Sequence, residues 1–306
     1  MKRLLSAFFS MGMLLSYGQQ TMTDMPVRYV QTASGFRVAY TDTGAGDHAL
    51  LFIHGLGSNR KAWEKNIATL SATHRCVALD LPGYGLSDSG EYAYDMAFFA
   101  LVVREFAEAA GIQNPILVGH SMGGQIAMYA ALQYPEFAAG LALLAPAGFE
   151  TFTPEEKVWF QMVYTPQVLL NTPPDQIRRN FEINFFSFPS DAEFMIAERM
   201  ALREREEAYA AYCNMIPRCV MGMLNQPVFD RLPEIAVPVL VIYGEKDYLI
   251  PNRLLHRDLT TAEVARKGAD RLSKGSLSLL PDCGHFVQWE CAEAVNKVIA
   301  DFSKRN

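Results

Sequence analysis

Short, continuously apolar runs punctuate this chain at residues 50–53, 75–79, 115–118, 140–144, 239–243 and 277–280. A strand with no polar side is stable only where both faces of its sheet are covered, so these runs point to a parallel sheet sandwiched by helices. Helical stretches at residues 61–70, 94–110, 122–133 and 292–302 alternate with them, as an α/β architecture requires. Residues 36–40 read as one earlier strand, followed by a turn rich in glycine at 44–46. The alternation breaks once. Residues 148–232 hold no buried strand pattern and read as several helices, with Ser190 and Glu193 spaced as a capping box before Phe194, Ala197 and Ala201. The expected organisation is therefore a core of residues 27–147 and 233–306 interrupted by a helical cap, 148–232. Thirteen aromatic residues and six of the fourteen methionines fall in that cap, which suits a pliable apolar surface.

Half of the 306 residues are hydrophobic and 20% are charged, enough apolar material for a large core and the wrong balance for disorder or collagen. A net charge of −6 leaves no surplus of Lys and Arg to neutralise phosphates, so a nucleic-acid partner is not expected. Lys2 and Arg3 precede an apolar run at 4–15, and small residues follow at Ser16 and Gly18. That order reads as a secretory signal over residues 1–18, giving an exported, periplasmic or secreted protein. The competing reading is a short N-terminal helix packed on a cytoplasmic protein. The run is shorter than the twenty or so apolar residues of a membrane span, so no stable span is expected. The five cysteines match no zinc or CxxC pattern. The simpler reading is five separate thiols; Cys213 with Cys219, or Cys283 with Cys291, would pair in an oxidising compartment.

The chemistry concentrates at strand ends. Gly119-His120-Ser121-Met122-Gly123 is a G-x-S-x-G turn between an apolar strand and a helix, with Gly124 next. So tight a turn strains its central residue and brings neighbouring chain close, which the glycines permit. It would expose Ser121 at the carboxyl edge of the sheet, where open α/β sheets place their sites. A serine hydroxyl needs a base. Of six histidines, His285 follows the last strand at the same edge. His54 and His120 lie inside turn motifs and read as loop-orienting; His48, His74 and His256 read as surface or packing residues. The base needs a carboxylate. Asp247, just beyond the strand at 239–243, is the first choice, with Glu245 and Asp282 as rivals. His54-Gly55-Leu56-Gly57 opens toward the same edge, so the backbone N–H groups of Leu56 and Met122 are the expected oxyanion donors. No metal or organic cofactor motif is present: there is no HExxH, EF-hand loop or dinucleotide fingerprint.

HGLG at 54–57, DLPGYGLSD at 80–88, GHSMGG at 119–124, VIYGEKDYLIP at 241–251 and PDCGHFVQWE at 281–290 together resemble the α/β-hydrolase superfamily. The resemblance covers nearly all of residues 27–306. It implies an eight-stranded, mostly parallel sheet with a helical cap inserted after the sixth strand. It also implies Ser121 as nucleophile, Asp247 as acid and His285 as base. Superfamily members with aspartate at the elbow, the epoxide hydrolases and haloalkane dehalogenases, do not match Ser121. CGHFVQWE resembles bacterial hydrolases that cleave C–C bonds in ring-fission products, although those have Asn in place of His120 and Trp in place of Phe286. Cofactor-free haloperoxidases usually carry Trp where this chain has Leu56. Residues 260–275 lengthen the acid-to-base spacing beyond the usual pattern. The leading expectation is an esterase acting on a small-molecule carboxylic ester with a hydrophobic group. C–C hydrolysis of ring-fission diketones on the same triad is the alternative, and a non-catalytic ligand-binding member of the fold is a third reading. Oligomeric state is not legible.

Overall fold

The computed structural model describes residues 25–46 and 48–305; the expected signal at 1–18 lies outside them. Eight strands form one sheet: β1 (Arg28–Gln31), β2 (Arg37–Thr43), β3 (Ala49–Ile53), β4 (Arg75–Leu79), β5 (Ile116–His120), β6 (Gly140–Leu144), β7 (Val239–Gly244) and β8 (Gly275–Leu280). Their order is β1-β2-β4-β3-β5-β6-β7-β8. β2 pairs antiparallel with β1 and β4, and every later pairing is parallel. Every residue of β3, β5, β6 and β7 is buried, which is why these strands are apolar throughout.

The flanking helices are α1 (Glu64–Leu70), α2 (Met96–Ala109) and α3 (Met122–Gln133). Between β6 and β7 lie α4 (Pro154–Val163), α5 (Pro166–Leu170), α6 (Pro174–Glu182), α7 (Glu193–Arg203) and α8 (Glu206–Asn225). After β7 come α9 (Thr261–Ala269), the one-turn α10 (Val287–Glu290) and α11 (Ala292–Ser303). The five helices α4 to α8 form an insertion between β6 and β7. Two apolar layers cover the sheet. Phe99, Phe106 and Ile126 of α2 and α3 belong to one; Trp63, Ile67 and Ile299 belong to the other, with α1 and α11.

Two expectations need correction, and two elements carry no mark in the sequence. Ser190 and Glu193 form no capping box: residues 190–192 are a 3-10 turn, and Glu193 pairs with Arg178 instead. Capping boxes occur at Thr153 with Glu156 and at Thr260 with Glu263. Most of residues 260–275 form α9, which packs against β7 and β8 and which no sequence pattern above marks. The edge strand β1 went unread: its residues are largely exposed and polar, so no apolar run marks it. Lastly, Cys283 and Cys291 are bonded, while Cys76, Cys213 and Cys219 are free and buried. Among the described residues no helix is long and apolar enough to cross a membrane.

One buried ion pair joins two loops at the carboxyl edge. Asp80, fully buried after β4, accepts from Arg60 N–H (2.8 Å), Arg60 Nη1 (2.6 Å) and Leu86 N–H (2.9 Å). Removing one member of such a pair leaves the other charge desolvated. Asp80→Ala is predicted to cost about 3–5 kcal/mol of unfolding free energy, read by urea denaturation. A loss below about 1 kcal/mol would show the pair to be dispensable.

Candidate active site

Four strand ends deliver the site. Leaving β5, the chain turns at once into α3, and Ser121 between them takes φ 52°, ψ −116°. The glycines around it answer to specific contacts. A Cβ on Gly119 would sit 2.3 Å from Gly123 O, and one on Gly123 would sit 2.2 Å from Ile53 O. The elbow can therefore lie directly on β3 only with glycine at both positions. Backbone bonds hold it: Ser121 N–H donates to Leu144 O (2.9 Å), and Ser121 O accepts from Gly124, Gln125 and Ala147 N–H.

Beyond β8, His285 is almost wholly buried, with Nδ1 2.7 Å from Oδ2 of the fully buried Asp247. Asp247 Oδ1 accepts from Leu249 and Ile250 N–H at 2.7 and 3.0 Å, so the carboxylate is aimed from both sides. A carboxylate oxygen can only accept, so Nδ1 carries the proton and Nε2 is left as the basic nitrogen. Rivals Glu245 and Asp282 are exposed and belong to no such contact. Gly244 lets the two loops meet, since a Cβ there would lie 2.2 Å from Cys283 O.

Two buried histidines tie the loops together. His54 Nε2 accepts from Leu81 N–H (3.1 Å), so its Nδ1–H faces Gly55 O (2.9 Å) within the HGLG turn. His120 Nε2 donates to His285 O (3.0 Å), joining the elbow to the loop of His285, and its ring lies 4.8 Å from the His285 ring. Both are held neutral. Burial lowers the pKa of His54, and burial aided by the neighbouring His285 lowers that of His120 well below 6.5. The loop-orienting expectation for these two thus has a geometry. His48 is exposed; His74 is buried against Ser303 Oγ (2.7 Å). His256 lies between the carboxylates of Glu150 and Glu156, stacked on Phe152.

Leu56 lies in the turn after β3, and its N–H has no acceptor among the described residues. Met122 is the first residue of α3, where N–H groups lack intrahelical partners. Leu56 also lines a cavity of about 180 Å³, together with Tyr164, Phe181, Tyr212, Phe286 and Arg199. Arg199 of α7 went unread in the sequence. Its Nη2 donates to Gly57 O (2.6 Å) and its guanidinium lies 4.1 Å over the Tyr212 ring. Nothing local to α7 marks it, because the backbone oxygen it holds, Gly57 O, is 142 residues away. The arrangement offers a strained serine, a buried imidazole fixed by a carboxylate, unclaimed N–H donors, and an aromatic cavity with one cation.

Residues 48–292 match the family model described as the alpha/beta hydrolase fold. The chain is 29% identical over 301 residues to a 2-hydroxy-6-oxononadienedioate/2-hydroxy-6-oxononatrienedioate hydrolase of Burkholderia vietnamiensis, covering 94% of this chain and 97% of that one. It is 27% identical to a 2-hydroxy-6-oxo-6-phenylhexa-2,4-dienoate hydrolase of Burkholderia cepacia, covering 88% and 92%. A crystal structure of a membrane phospholipase A, a bacterial virulence factor, superposes with a TM-score of 0.74 at 27% identity, covering 92% of this chain and 86% of that one.

The neutral buried histidines predict acid lability. Their folded pKa lies below the unfolded value of 6.5. As pH falls below about 6.5 the unfolded chain gains protons that the folded one refuses, so stability falls with pH. Each contributes a slope of up to about 1.4 kcal/mol per pH unit until its folded pKa is reached. Unfolding free energies measured from pH 7 to 5 should decline, and His120→Gln should flatten the decline by about one proton. An unchanged slope would mean that His120 is protonated in the fold.

Proposed function

The chain belongs to the α/β-hydrolase family and is an enzyme of that fold, and on that premise we propose that it is a serine hydrolase with Ser121 as nucleophile, His285 as general base and Asp247 as the acid that orients it. The observation that carries this reading is the 2.7 Å bond from His285 Nδ1 to buried Asp247, at the sheet edge that presents Ser121 at positive φ. Ser121 Oγ adds to a substrate carbonyl while His285 Nε2 takes its proton. The Leu56 and Met122 N–H groups receive the oxyanion, each worth about 3 kcal/mol in the transition state. Collapse breaks the bond to the leaving group, which takes the proton back from His285. Water, deprotonated by the same nitrogen, then frees the acid and restores Ser121.

For the substrate we propose a 2-hydroxy-6-oxo dienoic acid. The hydrolases of Burkholderia vietnamiensis and Burkholderia cepacia are named for such compounds and align along most of the chain. These compounds contain no ester, so hydrolysis must break a C–C bond. They do carry a carboxylate, and Arg199 places a guanidinium, the one cationic side chain of its lining, on the wall of that cavity. Ester cleavage, with a hydrophobic acyl or alcohol group, is the second reading. The likeness to the phospholipase A favours it, as do His120 and Phe286, which depart from the residues usual in C–C hydrolases. The helical insertion of residues 148–232 would act as a cap over either substrate. Export is proposed as well: the Cys283–Cys291 bond suits an oxidising compartment.

Turnover of 2-hydroxy-6-oxo-6-phenylhexa-2,4-dienoate should exceed that of p-nitrophenyl esters from acetate to laurate in kcat/KM by about tenfold or more. The reverse ranking would overturn the dienoate reading in favour of esters. Ser121→Ala should lower kcat on every turned-over substrate by about 10⁴-fold with an unchanged circular dichroism spectrum. A variant keeping a tenth of wild-type activity would remove Ser121 from the mechanism. Arg199→Gln should raise KM for the dienoate about tenfold and leave KM for neutral esters alone.

A further inference from the structure

Glu290 closes α10, five residues beyond His285, and its carboxylate is shared between two distant stretches of chain. Oε2 accepts the N–H of Gly284 at 2.7 Å and that of Phe186 at 3.1 Å, while Oε1 accepts the N–H of Ser187 at 2.7 Å. Gly284 is the residue before His285. Phe186 and Ser187 lie in the helical insertion, between α6 and the 3-10 turn at 190–192. One anion thus satisfies three backbone donors that have no acceptor elsewhere among the described residues.

The surroundings leave little slack. A Cβ on Gly284 would lie 2.6 Å from Phe186 N, Phe286 N–H donates to Asn184 O (2.9 Å), and the Phe286 ring stacks on Phe185 at 5.4 Å. The Cys283–Cys291 disulfide closes the same nine residues into a ring with Glu290 inside it. His285 is consequently set from three directions. Asp247 holds its ring at Nδ1, His120 holds its carbonyl, and Glu290 holds the peptide that precedes it. Only the last of these also grips the insertion. If the segment at 184–187 lifts, Glu290 loses two of its three donors, and the Gly284 peptide loses the anchor that fixes the start of the His285 loop.

We propose that Glu290 is a positioning residue that couples seating of the helical insertion to alignment of His285. The proposal rests on the reading of His285 as general base. Removal of Glu290 should therefore loosen the His285 ring and slow its proton transfer with Ser121.

The test uses the full chain and its Glu290→Ala and Glu290→Gln variants, with the wild type first labelled by a fluorophosphonate and mapped. Absent labelling at Ser121 overturns the serine-hydrolase reading and this proposal with it. With labelling established, Glu290→Ala is expected to lower kcat about 10- to 100-fold, KM moving less than about threefold. Fluorophosphonate labelling per folded molecule should slow in step with kcat. A merely structural role would lower the melting temperature and leave kcat and the labelling rate per folded molecule unchanged, and that result overturns the proposal alone. Should Glu290→Ala fail to fold, Glu290→Gln decides. It keeps the shape and one acceptor oxygen, so an intermediate loss of kcat and of labelling rate at little-changed KM is expected, and a wild-type kcat and labelling rate would overturn the proposal.

Discussion

At Ser121 the backbone sits at φ 52°, ψ −116°, a conformation that costs a non-glycine residue about 1–3 kcal/mol, and much of the molecule is arranged to keep it there. The elbow rests on Ile53 O through Gly123, and it is hydrogen-bonded to β6 and to the turn beyond it. Those neighbours are fixed by full burial of β3, β5 and β6 in a parallel sheet covered on both faces. Hydrophobic burial spread over the core thus holds a local strain at one residue. The glycines are the complement of that strain, because any side chain at 119 or 123 would occupy space already filled by backbone.

The electrostatics follow from the same crowding. Packing five strand ends at one edge buries His54, His120, Asp80, Asp247 and His285 within the seam between loops. Each has a partner across the seam, so the polar groups that orient the site also weld the loops together. Arg60 with Asp80 ties the HGLG turn to the loop after β4, His120 ties the elbow to the loop of His285, and Gly244 brings the Asp247 turn against Cys283. The helical insertion enters this network through Arg199 on Gly57, Asn184 on Phe286, and Phe186 and Ser187 on Glu290. Whatever occupies the cavity beneath the insertion therefore touches both the turn after β3 and the loop bearing the imidazole.

Much of this was legible in the sequence because the governing forces are local. A strand buried on both faces must be apolar, which is why the runs at 75–79 and 140–144 coincide with β4 and β6. The strained turn requires glycine at set spacings, which singled out Ser121. Chain order at the sheet edge then separated Asp247 from Glu245, and burial explains the choice physically. What escaped obeys non-local rules. β1 is an edge strand whose exposed face permits Arg, Tyr and Gln, and α9 carries Gly268 at a close approach to Phe149, which breaks the helical pattern. Ser190 and Glu193 had the right spacing for a capping box, yet Glu193 is claimed by Arg178. Arg199 and Glu290 act on residues about a hundred or more positions away, and no window along the chain contains both partners.

The central claim is that this edge activates Ser121. Intact-mass and peptide-mapping measurement after treatment with a fluorophosphonate tests it most directly, since that probe reacts with a serine only when a neighbouring base and oxyanion donors assist it. A single adduct is expected, on Ser121, formed at a rate that falls when His285 is replaced by Ala. No adduct, or an adduct on another residue at a rate indifferent to His285, would contradict it.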